Sequence, residues 1–142
     1  MTLLEDAIGL ALISHRGQVD KGKNEYILHP LRLMLKMRTD EERIVAVLHD
    51  IIEDGAATIE DLKELKLPKN IRDALKCISR TTGEDYDDYI SRVKTDLLAT
   101  RVKIADLQDN MDLSRIPHPQ QEDFDRVRKY EKALDLLLAS RP

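Results

Sequence analysis

The stretch "AVLHDIIEDG", residues 46–55, combines the pattern of a core helix with a concentration of titratable side chains. Its apolar residues have the spacing of a helix packed into a core, namely Ala46, Val47, Leu48, Ile51 and Ile52. One imidazole and three carboxylates share the same turns, at His49, Asp50, Glu53 and Asp54. Residues four apart lie on one helix face, so we expect His49 above Glu53 and Asp50 above Asp54. Because unpaired buried charge is costly, this strip predicts a compensating divalent metal.

The chain around this stretch is helical nearly throughout, and it lacks the alternation of strands. Capping boxes are predicted at Thr2 with Glu5 and at Thr39 with Glu42, and the latter opens the helix that holds the quoted stretch and ends at Gly55. Further helices are expected over about 2–15, 30–37, 58–65, 68–77, 85–93, 96–111 and 121–139. We therefore predict an all-α, compact bundle of seven to eight helices, with residues 1–142 forming a single domain.

Composition limits the possible partners. The net charge of −4 argues against nucleic acid as the main partner, although a small anion can still bind where local charge is positive. The single cysteine, Cys77, excludes an internal disulfide. The chain has no long apolar run, and its start lacks a basic region. We therefore expect a cytoplasmic protein without a signal peptide or membrane span.

Two other segments offer further metal donors. "YILHPL" contains His29 directly before Pro30, and proline disfavours helical geometry in the residue that precedes it. We therefore expect His29 at a helix entrance. "VKIADLQDNM" contains Asp106 and Asn110, which share a helix face among apolar neighbours. Imidazoles and carboxylates together suit Mn²⁺, Fe²⁺ or Zn²⁺.

Three segments in this order resemble the HD superfamily of metal-dependent phosphohydrolases, namely "HRGQVDKGKNEYILHPLR", "AVLHDIIED" and "VKIADLQDNM". The closer resemblance is to the hydrolase half of the RelA/SpoT enzymes of the stringent response and to stand-alone small alarmone hydrolases. It implies an HD-domain fold, one Mn²⁺ and removal of the 3′-pyrophosphate from guanosine tetra- or pentaphosphate. It also implies that the metal ligands are His29, His49, Asp50 and Asp106. Glu53 and Asp54 match the acidic pair that handles the attacking water.

The resemblance is weaker where the substrate would bind. It implies substrate contacts at Lys21, Lys23, Tyr26 and Asn110. The family motif Arg-Lys-Ser-Gly-Glu-Pro-Tyr becomes residues 20–26 here, so Asp20 replaces an arginine that helps hold the guanine base. A carboxylate lacks the cationic face that an arginine offers a purine, so we expect Asp20 to weaken binding of the base. The family's Asp-Arg-Leu-His-Asn becomes residues 106–110, which keep the Asp and the Asn and lose the Arg and the His.

Two alternatives stand beside an alarmone hydrolase acting on a small nucleotide. One keeps the chemistry and changes the substrate to another phosphorylated nucleotide, such as a reduced dinucleotide phosphate. The other is a non-catalytic, nucleotide-sensing or partner-binding module on an HD scaffold. The intact metal set and Glu53 argue against the second alternative, because a sensor need not keep both.

Overall fold

The computed structural model describes residues 1–53 and 57–139. Within these ranges the chain forms eight α-helices and no strand; a single antiparallel bridge joins Val19 to Glu25. The helices are α1 Leu3–Ser14, α2 Leu28–Leu35, α3 Asp40–Leu48, α4 Ile59–Glu64, α5 Lys69–Ile78, α6 Tyr86–Val93, α7 Leu97–Asn110 and α8 Gln121–Ala139, with a short 3₁₀ turn at Leu113–Arg115. The predicted all-α fold is confirmed.

Side-chain caps fix most of the helix starts. The threonines before α1, α3 and α4 each accept a hydrogen bond from the backbone N–H three residues on, and the acidic residue there accepts from the threonine N–H. Asp85 and Asp96 cap α6 and α7 in a similar way. Because a cap satisfies N–H groups that have no partner within the helix, it defines where the helix begins. These starts agree with the sequence prediction.

Helix α3 lies at the centre of the fold. It packs against α1, α2, α5 and α7, and every side chain from Val45 to Leu48 is at most 1% exposed. Helix α7 also contacts α2, α5 and α8. The C-terminal end of α3 is thus enclosed by α2 and α7. Among the described residues, no helix has both the length and the apolar composition needed to cross a membrane.

Helix α3 ends at Leu48, earlier than the predicted end at Gly55. The Nδ1 atom of His49 lies 2.6 Å from the carbonyl oxygen of Ala46, the acceptor that the N–H of residue 50 would use in a continuing helix. Such side-chain bonds to backbone groups compete with helix propagation. The predicted helical stacking of His49 above Glu53 is therefore wrong. Asp54 and Gly55 lie outside the described residues.

Helix α2 begins at Leu28, so His29 lies inside its first turn and not before it. Pro30 is the third residue of the helix. A proline there loses little, because the N–H groups of a first turn have no helical acceptor in any case. The predicted helix start at Pro30 is therefore two residues late, and His29 lies at the helix entrance with helical geometry.

The loop between α1 and α2 is closed by its own polar groups. One carboxylate oxygen of Asp20 accepts hydrogen bonds from the N–H groups of Gly22 and Asn24, both at 2.9 Å. Gly22 also lies against the 3₁₀ turn, where an added Cβ atom would be 2.1 Å from the carbonyl oxygen of Arg115. Asp20 thus organises the loop by binding its backbone. The family motif has an arginine at this position, so the motif did not predict this role.

We predict that Gly22→Ala destabilises the protein by about 1–3 kcal/mol, because the new methyl group must displace backbone. Gly9→Ala is the matched control: a Cβ atom at this position of α1 meets nothing within 4 Å. It should stabilise the protein by about 0.5–1 kcal/mol, because alanine favours helix. Urea unfolding followed by circular dichroism measures both changes. Equal stability of Gly22→Ala and the parent protein would contradict the close approach.

Candidate metal centre

Helices α2, α3 and α7 bring the four predicted ligands together. His29 comes from α2, His49 and Asp50 follow the end of α3, and Asp106 comes from α7. One donor atom from each lies within 4.8 Å of the other three. The two histidines and Asp106 are each 4% exposed. The donors have therefore already converged, and three of the four residues are almost fully buried.

Both histidines are oriented through Nδ1. The Nδ1 of His29 lies 2.6 Å from a carboxylate oxygen of Asp109, and that of His49 lies 2.6 Å from the carbonyl of Ala46. A carbonyl or an ionised carboxylate only accepts, so each Nδ1 carries the proton. The Nε2 atoms lie 2.8 and 3.2 Å from Oδ1 of Asp106, contacts that a second ring proton bridges when no metal is bound. Loss of that proton leaves a neutral ring with the lone pair on Nε2. This is the tautomer that a metal ligand requires.

Asp106 is held from two sides by its own helix. Its Oδ1 atom accepts from the side-chain amide of Asn110 at 3.1 Å, and its Oδ2 atom accepts from Nζ of Lys103 at 2.8 Å. Burial raises the pKa of Asp106, but Lys103 and His49 lower it by more, so the pKa lies well below its usual range. Asp106 is therefore a carboxylate at neutral pH.

Asp50 supplies the second carboxylate. Its Oδ2 atom lies 2.9 Å from Nε2 of His49 and 3.8 Å from Nε2 of His29. The same oxygen accepts a hydrogen bond from the hydroxyl of Tyr26. Burial lowers the pKa of His49, but Asp50 and Asp106 raise it by more. The two carboxylates thus favour positive charge among these atoms, whether it is a proton or a divalent cation.

The donor set fits a divalent metal. Donors placed roughly 2.1 Å from one ion at right angles lie about 3 Å apart. The separations between neighbouring donors here run from 2.8 to 3.8 Å. Two imidazoles and two carboxylates are also ligands that borderline divalent metals accept.

Glu53 lies outside this cluster. It is exposed, and its Oε1 atom accepts a hydrogen bond from the backbone N–H of Arg80. This bond joins Glu53 to the segment that follows α5. Asp54, its predicted partner, lies outside the described residues.

A cavity of about 480 Å³ adjoins the cluster on the side of His29. Of the four residues predicted to contact substrate, Lys21, Tyr26 and Asn110 line this cavity, whereas Lys23 is exposed beside it with a φ of 64°. Tyr26 and Asn110 also bind Asp50 and Asp106. They therefore support the predicted ligands as well as forming the cavity wall.

Four residues of the site were missed by the sequence analysis: Lys103, Asp109, Arg32 and Arg115. Lys103 and Asp109 lie three residues before and after Asp106, so helical spacing carried a signal for both. Arg32 donates to both oxygens of Asp109, at 2.9 and 3.0 Å, and Arg115 donates to Asp109 at 3.3 Å. These pairs join α2 and the 3₁₀ turn to α7. The sequence pattern did not predict them.

Known proteins resemble the chain in sequence and in structure. No family model matches the chain. It is 28% identical to the bifunctional (p)ppGpp synthase/hydrolase SpoT of Escherichia coli, over 76% of the chain. It is 30% identical to the GTP pyrophosphokinase rsh of Brucella melitensis, over 94% of the chain. The chain is a homologue of the RelA/SpoT enzymes.

The structural comparison agrees on the fold. A solved structure, described as a metazoan ortholog of SpoT that hydrolyses ppGpp, aligns with a TM-score of 0.79 at 20% identity. The alignment covers 97% of this chain and 86% of the other. The RelA/SpoT homologue therefore has the SpoT hydrolase fold. It spans only 17% of the length of SpoT from E. coli and 19% of that of the B. melitensis protein.

We predict that the RelA/SpoT homologue binds one divalent ion per chain and that His49→Ala abolishes this binding. The reason is that His49 contributes one of four converging donors and its removal leaves two carboxylates with a single imidazole. The measurement is metal content by mass spectrometry after loading with Mn²⁺ and dialysis. His118→Ala, at an exposed histidine, is the control and should retain the ion. Stoichiometric metal in His49→Ala would contradict the site.

Proposed function

We propose that this RelA/SpoT homologue is a cytoplasmic, metal-dependent hydrolase that removes the 3′-pyrophosphate of guanosine 3′,5′-bis(diphosphate). The observation that carries the proposal is the convergence of His29, His49, Asp50 and Asp106 from three helices. A relative from Vibrio cholerae, 31% identical over 76% of the chain, is named guanosine-3′,5′-bis(diphosphate) 3′-pyrophosphohydrolase. The chain spans 17% of the length of that relative.

These four residues would hold one divalent ion, which we propose to be Mn²⁺. When bound, such an ion lowers the pKa of a water molecule and neutralises charge on a phosphate oxygen. The protein supplies the orientation. Asn110 and Lys103 hold Asp106, Tyr26 holds Asp50, and the two Nδ1 contacts hold the imidazoles.

We assign Glu53 the role of accepting the proton of the attacking water. It stands outside the four donors, so its carboxylate is not needed to hold the ion. The N–H of Arg80 donates a hydrogen bond to one of its oxygens and so holds the side chain in place. Asp54, which matches the second acid of the family pair, is proposed to assist it.

Cationic side chains flank the cluster on two sides and suit a substrate with several phosphates. Those that line the cavity beside His29 are Lys21, Arg32, Arg115 and Arg126. On the other side, Lys129 lies 4.0 Å and Arg80 5.3 Å from the ring centre of Tyr86. Burial lowers the pKa of Lys129, and the nearby charges of Arg80 and Lys103 lower it further. A bound phosphate would relieve this repulsion between cations, in spite of the negative net charge of the chain.

The loop from Asp20 to Tyr26 bears on the choice of base. Asp20 lines the cavity, but one of its oxygens is already bound by the N–H groups of Gly22 and Asn24. Replacing it by the family arginine would remove these bonds, so the exchange alters loop geometry as well as charge. Base preference is therefore measured best on the unaltered loop.

We predict that the protein with Mn²⁺ releases pyrophosphate from guanosine 3′,5′-bis(diphosphate). The panel should include the adenine counterpart, a reduced dinucleotide phosphate and the 5′-diphosphate without a 3′ group. Pyrophosphate and phosphate are quantified separately, so that the bond cleaved is identified. Turnover of the dinucleotide alone would replace the substrate and keep the chemistry. Stoichiometric metal without turnover of any compound would favour a nucleotide-sensing module.

We predict that Glu53→Gln retains the metal and loses roughly 10²-fold or more in turnover, because the amide cannot accept a proton. The substitution preserves the shape of the side chain, so the free energy of unfolding should change little. Glu64→Gln, at an exposed position of α4, is the matched control and should turn over normally. Activity of Glu53→Gln within a factor of two of the parent would transfer the role to another group, with Asp54 the next to test.

A further inference from the structure

Asp109 is a buried carboxylate that faces an imidazole on one side and two guanidinium groups on the other. It is 4% exposed. Its Oδ2 atom lies 2.6 Å from Nδ1 of His29. Arg32 donates through Nε to Oδ1 at 2.9 Å and through a terminal nitrogen to Oδ2 at 3.0 Å. Arg115 donates to the Asp109 backbone carbonyl at 2.8 Å and to Oδ2 at 3.3 Å.

We propose that Asp109 is the positioning residue for His29, and that Arg32 holds Asp109 in place for this task. Asp109 accepts a hydrogen bond from the Nδ1–H group of His29. This bond turns Nε2 of His29 towards Asp106, 2.8 Å away. A carboxylate in this position fixes the tautomer and the orientation of a ligating imidazole and makes it a stronger ligand. This inference rests on the proposed function in one respect: the ion that His29 binds is the divalent ion of the proposed hydrolase site.

The two imidazoles of the cluster differ in how they are held. The Nδ1 of His49 is bound by the carbonyl of Ala46, three residues away in the helix that ends there. Its orientation follows from local structure. The Nδ1 of His29 is bound by a side chain 80 residues away, so its orientation depends on the contact between α2 and α7. Only the histidine held by a side chain can be released by substituting its partner.

The guanidinium groups explain how a carboxylate can remain at this position. A buried carboxylate needs compensation, and a bidentate arginine provides both charge and fixed geometry. With both oxygens bound by Arg32, the Asp109 carboxylate cannot rotate away from His29. Arg32 thus acts on His29 through Asp109, although it makes no contact with the four donor atoms that we describe.

The test is metal affinity measured without substrate. We expect Asp109→Asn and Asp109→Ala to weaken Mn²⁺ binding by about 10–100-fold in competition with a fluorescent chelator. Asp112→Asn is the matched control: this carboxylate also binds Arg115, at 3.1 Å, but it does not contact His29. It should bind Mn²⁺ as the parent protein does. Arg32→Lys, which keeps the charge and loses the bidentate geometry, should give an intermediate affinity.

A spectroscopic measurement separates positioning from general stability. In ¹⁵N-histidine protein loaded with diamagnetic Zn²⁺, the Nδ1–H protons of His29 and His49 should both be protected from exchange. Asp109→Ala should lose the signal of His29 and retain that of His49, which serves as the internal control. If Asp109→Ala does not fold, Asp109→Asn supplies the same comparison as a weakened signal with a native unfolding midpoint.

Unchanged metal affinity together with an unchanged His29 signal in Asp109→Asn would overturn the proposal. Equal weakening by Asp112→Asn would also overturn it, because the effect would then come from Arg115 and not from His29. Absence of hydrolysis by the parent protein would count against the proposed function alone. The affinity and the histidine signals would still decide the role of Asp109.

Discussion

Two carboxylates and two imidazoles share one small volume with little access to water, and this electrostatic constraint shapes the surrounding structure. Oδ1 of Asp106 alone is approached by His29, His49 and Asn110 at 2.8–3.2 Å. Such a group is stable only where each charge is compensated and each polar atom has a partner. Lys103 and the two Nδ1 contacts supply part of this compensation. The remaining donor atoms, which belong to the two imidazoles and the two carboxylates, face one another. A divalent ion is the natural counterpart of that arrangement.

The end of α3 lies at this site. His49 and Asp50 directly follow Leu48, and their side chains meet Asp106 of α7 in the cluster of donors. The imidazole that occupies the carbonyl of Ala46 therefore serves two purposes at once: it ends the helix, and it fixes its own tautomer. Local backbone structure and site chemistry are determined by one hydrogen bond.

The sequence predicted what local rules determine and failed where tertiary contacts decide. Capping threonines gave the starts of α1, α3 and α4, because a cap depends on residues only three apart. The apolar residues 46–52 predicted a helix that continues beyond Leu48. Hydrophobic periodicity carries no information about a side chain that hydrogen-bonds to a backbone carbonyl and so ends the helix. The four ligands were found through motif resemblance. The pair of Arg32 with Asp109 spans 77 residues and had no such signal.

Asp109 occupies the place of the histidine in the family's Asp-Arg-Leu-His-Asn, so a departure from the motif has become part of the support for His29. A buried carboxylate introduced here requires cations, and Arg32 and Arg115 provide them from two different elements. Both guanidinium groups also form the cavity wall. Their charge is then largely committed to Asp109 and is less available to an incoming phosphate. Arg126 is likewise paired with Asp123, at 2.7 Å. It follows that affinity for the substrate on this side depends on Lys21 more than a count of cations suggests, while the geometry of the cluster depends on Arg32 and Arg115.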